Sequence, residues 1–221
     1  MGKGIVKLLK SLTELLQIFV VELLDIIYPP QNKCITCDRE FIGLCPICNQ
    51  KIMRIREGSD VISYAYYNGV MKKLILEFKY KKNFIAGDIL ANYLINLITE
   101  NNIEAEAIFF IPSSKKALKE RGFNQCEFIA KKISKQLNIP VYNDISKVKN
   151  IKEQKTLSKE DRIKNVIGAF EIKSNKNIKN KKIILIDDVL TTGSTVLECE
   201  KLLKKNGACS IKILTVAKSY I

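Results

Sequence analysis

Ile183-Ile184-Leu185-Ile186-Asp187-Asp188-Val189-Leu190-Thr191-Thr192-Gly193-Ser194-Thr195 is the most informative stretch of this 221-residue chain. Its first four residues are continuously apolar, as in a strand buried on both faces of a parallel sheet. Two adjacent carboxylates close that strand. A short Thr/Gly/Ser loop follows, and helical periodicity runs from 194 to 206, with Gly207 suited to the C′ position. This order puts the acidic pair at the carboxyl end of a parallel strand, where open α/β sheets bind ligands. Free backbone N–H groups at a helix start can hold a phosphate. Gly193 permits close backbone approach, and Thr191, Thr192, Ser194 and Thr195 add hydroxyl donors. Asp187 and Asp188 can accept hydrogen bonds from vicinal sugar hydroxyls, directly or through a metal. A phosphate cup beside a diol acceptor describes a site for a ribose 5-phosphate. The loop is not a Walker A sequence, because the Gly-Lys-Ser/Thr ending is missing. Helix capping would account for one hydroxyl residue, but not for the acidic pair and the whole loop.

On either side of this stretch, strands and helices alternate. Strands are expected over 61–67, 107–111, 144–148, 169–172, 183–186 and 211–216. Helices are expected over 69–80, 85–99, 122–137 and 194–206. The alternation predicts an α/β domain with a mainly parallel sheet flanked by helices. The Lys/Asn-rich segment 173–182 reads as a solvated loop, and no internal repeat is visible.

Upstream lies Cys34-x₂-Cys37-x₇-Cys45-x₂-Cys48. Each pair can form a knuckle that points two sulfurs at one ion, and two knuckles supply a tetrahedral site. The ribbon-like spacing favours zinc over an iron–sulfur cluster, though four thiolates also suit iron. With four protein ligands the site is closed and structural. No secretory signal is visible, which predicts a cytoplasmic, reducing location and counts against disulfides. Cys126, Cys199 and Cys209 are isolated and read as buried or inert thiols.

Before the cysteines, Ile5, Leu9, Leu12, Leu16, Phe19, Leu23 and Ile26 recur at steps of four and three. They predict an amphipathic helix that Pro29 and Pro30 end. It reads as docked on its own domain, with a dimer seam or a membrane surface as the alternatives. Charges interrupt it too often for a transmembrane segment. The expected organisation is a helix over 1–30, a four-Cys zinc unit over 31–55 and an α/β domain over 56–221.

Lys and Arg number 37 against 23 Asp and Glu, a formal net charge of +14, and the chain has no His and no Trp. Without His, a Ser-His-Asp or Cys-His arrangement and a Cys₂His₂ zinc finger are excluded. The excess charge suits an anionic partner or a lysine-rich surface. Much of it lies over 115–121 and 147–164, beside segments that could receive an anion.

The segment from Ile184 to Thr195 resembles the motif of type I phosphoribosyltransferases that binds phosphoribosyl pyrophosphate (PRPP). Three further segments narrow the resemblance to the ComF family of competence-associated proteins. They are the four-Cys site, Arg121-Gly122-Phe123-Asn124-Gln125, and the pattern formed by Gln154, Leu157, Arg162, Asn165, Gly168, Ala169 and Phe170. The resemblance covers most of the chain. It implies a type I phosphoribosyltransferase-like sheet and assigns Asp187, Asp188, Val189, Leu190, Thr191, Thr192, Gly193, Ser194 and Thr195 to PRPP. Residues 191–195 would hold the 5-phosphate and the two Asp the ribose 2- and 3-hydroxyls. The Asp pair would also favour the positive charge that develops as the C1–O bond breaks. Mg²⁺ would bridge pyrophosphate and ribose oxygens. Ser113 and Ser114 match the pyrophosphate-loop position, with Lys115, Lys116 and Arg121 nearby to neutralise the leaving group. Residues 154–165 resemble a mobile hood whose Arg162 would meet pyrophosphate, which makes Arg162, Asp187 and Asp188 the implied catalytic set.

Relatives carry a His soon after the Pro of the Ile111-Pro112 segment, where this chain has Ser113 and Ser114. The resemblance further implies natural competence, the handling of incoming single-stranded DNA in the cytoplasm, and a helicase-like partner. Nucleotide salvage and a non-catalytic PRPP-sensing or DNA-binding role are the alternatives. Sequence does not fix the acceptor or the oligomer.

Overall fold

The computed structural model describes residues 32–56, 61–148 and 166–219. The expected helix over 1–30 lies outside them, as do Gln154, Leu157, Arg162 and Asn165. In chain order the elements are α1 (Pro46–Gln50), β1 (Val61–Tyr66), α2 (Gly69–Lys81), α3 (Phe84–Glu100) and β2 (Ala107–Phe110). There follow α4 (Lys115–Arg121), α5 (Gln125–Leu137), β3 (Val141–Tyr142), β4 (Ile145–Lys147) and β5 (Phe170–Ile172). The chain closes with β6 (Lys182–Leu190), α6 (Ser194–Lys205) and β7 (Ser210–Lys218).

Five strands form one parallel sheet in the order β1-β7-β6-β2-β3, and β4 pairs with β5 in a separate antiparallel ribbon. The alternation of side chains along a strand explains the apolar run of β6. Ile183 and Leu185 enter one core with Val196, Cys199 and Leu203 of α6. Ile184 and Ile186 enter the other, built from α2, α3 and α5 with Leu74, Phe78, Leu94 and Ile129. A strand covered on both faces must be apolar along its covered run, and β6 is so from Ile183 to Ile186.

Three elements differ from expectation, each for a local reason. First, β6 does not end at Ile186. Its ladder with β7 continues through Asp187↔Thr215, Val189↔Ala217 and Leu190↔Lys218, so the acidic pair lies within the strand. Second, the helix expected over 122–137 begins at Gln125, and a separate, unexpected helix, α4, precedes it. Gly122, at φ 82°, ends α4 in the left-handed region that glycine adopts without strain. Asn124 then caps α5 by accepting from the Cys126 N–H at 3.0 Å. Third, the two-residue β3 extends the sheet edge beside β2. Of the three isolated thiols, Cys126 and Cys199 are buried, but Cys209 is exposed.

The four-Cys unit rests on α2 and α3. Leu44 and Val70 pack on the cysteines. Lys73 Nζ donates to the Thr36 carbonyl at 3.0 Å, and the Tyr93 hydroxyl donates to Asn49 Oδ1 at 2.6 Å. The chain leaving the unit pairs along β1, through Ile55 N to Tyr64 O and Tyr66 N to Met53 O, both 3.0 Å. No helix among the described residues is long and apolar enough to cross a membrane.

Candidate functional site

Asp187 and Asp188 sit near the carboxyl end of β6, the central strand of the sheet. The two carboxylates converge with the Cys126 sulfur, their ligand atoms all within 4.8 Å of one another, but they take different partners. Asp188 Oδ2 receives the Lys79 ammonium of α2 at 2.5 Å and the Gln125 amide of α5 at 2.7 Å. Asp187 Oδ1 accepts the Asp188 backbone N–H at 2.8 Å and faces the Cys126 thiol at 3.6 Å.

These partners separate the two acids electrostatically. Burial works against ionisation of Asp188, but Lys79 and Gln125 outweigh it and hold the carboxyl below its ordinary value. Among the described residues no cation forms an ion pair with Asp187, and Lys79 lowers it only from a distance. Burial, reinforced by the Asp188 charge, pushes it up to about 7. Burial pulls the Lys79 ammonium down, and the Asp188 carboxylate more than compensates, so Lys79 stays charged. Cys126 is pushed well above the ordinary thiol value by burial and by both carboxylates, which leaves it a neutral thiol. The site thus presents one firmly ionised acceptor beside one carboxyl poised near neutrality.

The loop that follows leaves its hydroxyls available. Gly193 is the N-cap of α6, at φ 75°, and has no side chain to cap it; the Thr192 hydroxyl accepts weakly from the Ser194 N–H at 3.5 Å. Thr192 and Ser194 hydroxyls bond each other at 2.7 Å. Thr191 is exposed, and Thr192, Ser194 and Thr195 are half-buried. Ordinary capping therefore does not account for this run of hydroxyl residues.

After β2, Ser114 caps α4 by accepting from the Ala117 N–H at 3.1 Å. Ser113 is half-buried, and Lys115 is exposed at the helix start. Arg121, at the end of α4, donates to Gln125 Oε1 at 3.2 Å, and Gln125 in turn holds Asp188. The Arg121 guanidinium lies 5.3 Å over the Tyr80 ring, and its Nε is a buried donor with no hydrogen-bond partner among the described residues. A chain of contacts thus joins Arg121, Gln125 and Asp188. Arg162 lies outside the described residues.

Two residues of the site escape sequence reasoning. Lys79 sits in a lysine-rich run with Lys81 and Lys82, and nothing local distinguishes it from its solvated neighbours. Its place in the helical period was the available signal: it follows the buried Phe78, on the turn after Leu74 and Ile75. Cys126 is buried as expected, but it lies against Asp187 instead of in an inert corner. Its position directly after Gln125 was the clue.

Cys34, Cys37, Cys45 and Cys48 form the second cluster, their sulfurs all within 4.8 Å of one another. Cys37 and Cys45 Sγ are 3.7 Å apart. A tetrahedral zinc site with bonds of about 2.3 Å spaces its sulfurs by about 3.8 Å. Burial works against the Cys34 thiolate, but the Cys45 N–H and the Thr36 hydroxyl hold it down to about 5. The Arg39 N–H lowers Cys37, yet burial and the crowding of the other three sulfurs push it up to about 11. A cation among them relieves that repulsion, and the cluster can hold a zinc ion.

A parallel sheet with an acid pair at the end of its central strand, followed by a hydroxyl-rich loop and a helix, defines a type I phosphoribosyltransferase-like protein. Residues 124–219 match the model of the phosphoribosyl transferase domain. The chain is 30% identical over 193 residues to competence protein F of Haemophilus influenzae, covering 84% of each. It is 26% identical over 200 residues to competence protein ComFC of Streptococcus pneumoniae, covering 84% of this chain and 87% of that one. Among solved structures, glutamine PRPP amidotransferase from B. subtilis aligns with a TM-score of 0.44 and 16% identity, over 63% of this chain and 30% of that longer one. The chain belongs to the ComF family.

Proposed function

We propose that this protein binds PRPP with Mg²⁺ at the end of β6 and transfers its phosphoribosyl group, in the service of DNA uptake. The observation that carries this reading is the divided acid pair. Asp188, ionised and held by Lys79 and Gln125, is the diol acceptor, and Asp187 lies beside it. The hydroxyl loop and the weakly capped start of α6 suit the 5-phosphate. The unpartnered Arg121 Nε, reached through Gln125, suits the pyrophosphate side, together with Ser113, Ser114 and Lys115. Mg²⁺ arrives with PRPP and neutralises diphosphate charge. In the transfer itself, the C1–O bond breaks with its electron pair leaving on pyrophosphate. A nucleophile then bonds to C1 and releases its proton.

Competence names among the relatives support a role with incoming single-stranded DNA, and a helicase-like partner follows from the same reading. The four-Cys unit is a structural zinc site in this proposal. Calorimetric titration of PRPP with Mg²⁺ tests the site. Binding is expected in the wild type and is expected to disappear in Asp187→Asn/Asp188→Asn. A wild type that takes up no PRPP refutes the reading. Pyrophosphate release then separates a transferase from a protein that only senses PRPP.

A further inference from the structure

We infer that Lys79 is a positioning residue for the PRPP site, holding Asp188 as an ionised, correctly aimed acceptor for the ribose diol. The inference rests on the phosphoribosyl reading of the site and extends it to a third element, α2.

Three observations carry it. The Lys79 ammonium reaches Asp188 Oδ2 at 2.5 Å, with side-chain exposures of only 15% and 11%. Buried ion pairs add little to stability over a well-packed apolar pair, so stability alone is a weak reason for placing one here. The pair is instead located where it bears on chemistry. Gln125 shares Asp188 Oδ2, and Asp187 lies next along the strand. Finally, α2 is held by contacts near both of its ends and in between. Val70 packs on the four-Cys unit, Lys73 bonds Thr36, and Phe78 is buried against Phe123 and Phe128 with ring centroids 5.1 Å apart in each case. The ammonium is therefore delivered to one place.

That place matters for a polyanionic ligand. Two adjacent carboxylates repel phosphate and diphosphate groups. Lys79 cancels one of those charges while leaving the carboxylate oxygens able to accept hydroxyl hydrogen bonds. It also fixes which acid is ionised. Lys79 does not touch the ligand in this scheme and acts through Asp188.

The test is calorimetry of Mg²⁺–PRPP and, separately, of inorganic phosphate. The proteins are the full chain, Lys79→Met, Lys79→Arg, Asp188→Asn and Lys79→Met/Asp188→Asn. Lys79→Met is expected to weaken PRPP binding about 10–100-fold, the worth of a hydrogen bond to a charged group. Inorganic phosphate, which needs only the loop, should bind Lys79→Met as it binds the wild type. Lys79→Arg should recover part of the PRPP affinity. The two single losses should not add in the double variant, because both act through one carboxylate. If Lys79→Met unfolds, Lys79→Arg and the charge-balanced double variant keep the fold and supply the same comparison. Wild-type PRPP binding in Lys79→Met, equal losses for PRPP and phosphate, or additive losses in the double variant overturn the role of Lys79 alone. Absence of PRPP binding in the wild type overturns the phosphoribosyl reading, and Lys79 with it.

Discussion

Asp187 and Asp188 are chemically identical side chains whose proton affinities move in opposite directions, because among the described residues Lys79 pairs with Asp188 and no cation pairs with Asp187. This has a measurable effect on stability. An ordinary carboxyl in the unfolded chain titrates near about 4. Asp187 in the folded protein titrates at about 7. Between those values the folded protein keeps a proton that the unfolded chain has released. The contribution of Asp187 therefore falls as pH rises through that window. Asp188 has the opposite sign: its contribution is present above the ordinary carboxylate value and is lost as pH falls below it. Urea midpoints at about pH 5 and about pH 7.5 test this. The drop toward the higher pH is expected to shrink in Asp187→Asn, and equal drops would refute the raised value. The acid pair itself is legible in the sequence as a motif. Its inequality is not, because the cation comes from Lys79, remote in the chain and identical in local appearance to Lys81 and Lys82.

Elements were legible wherever hydrophobic period alone determines them. α2, α3, β2 and β7 fall within a residue or two of their expected limits, since their buried faces are continuous. Period cannot reveal a stop made by one backbone angle, which is why the short α4 that ends at Gly122 was not expected and the helix after it begins three residues late. Nor can it reveal a ladder that outlasts the apolar run, as at Asp187 to Leu190. Packing between helices is similarly hidden. Gly87, in the second turn of α3, passes so close to the aromatic cluster that a Cβ would lie 2.6 Å from Phe78 Cε2 and 2.8 Å from Phe128 Cε1. Gly87→Ala raises helix propensity but overpacks this contact. It is expected to lower stability by about 1–3 kcal/mol in urea unfolding. An unchanged or higher midpoint would show that the rings yield at no cost.

At the scale of the whole molecule, the +14 charge and the absence of His act together. Any transfer chemistry is left to carboxylates, metal, lysine, arginine and backbone donors. The same charge supports the proposed contact with single-stranded DNA, which should be dominated by phosphate neutralisation. Fluorescence anisotropy with an oligonucleotide is expected to show affinity falling about tenfold or more between about 50 and 200 mM salt. No binding at low salt would exclude direct contact and leave the competence role to a partner.

One helix links the two clusters. α2 meets the cysteine knuckles through Val70 and Lys73, and it meets Asp188 through Lys79, barely two turns further on. On the proposed reading, a metal among the knuckles and a sugar phosphate at Asp188 would rest on this one helix. Whatever factor zinc occupancy imposes on PRPP affinity, PRPP must return to zinc affinity unchanged. A closed four-thiolate site would then be more than a local staple, since it sets the footing of the helix that carries Lys79.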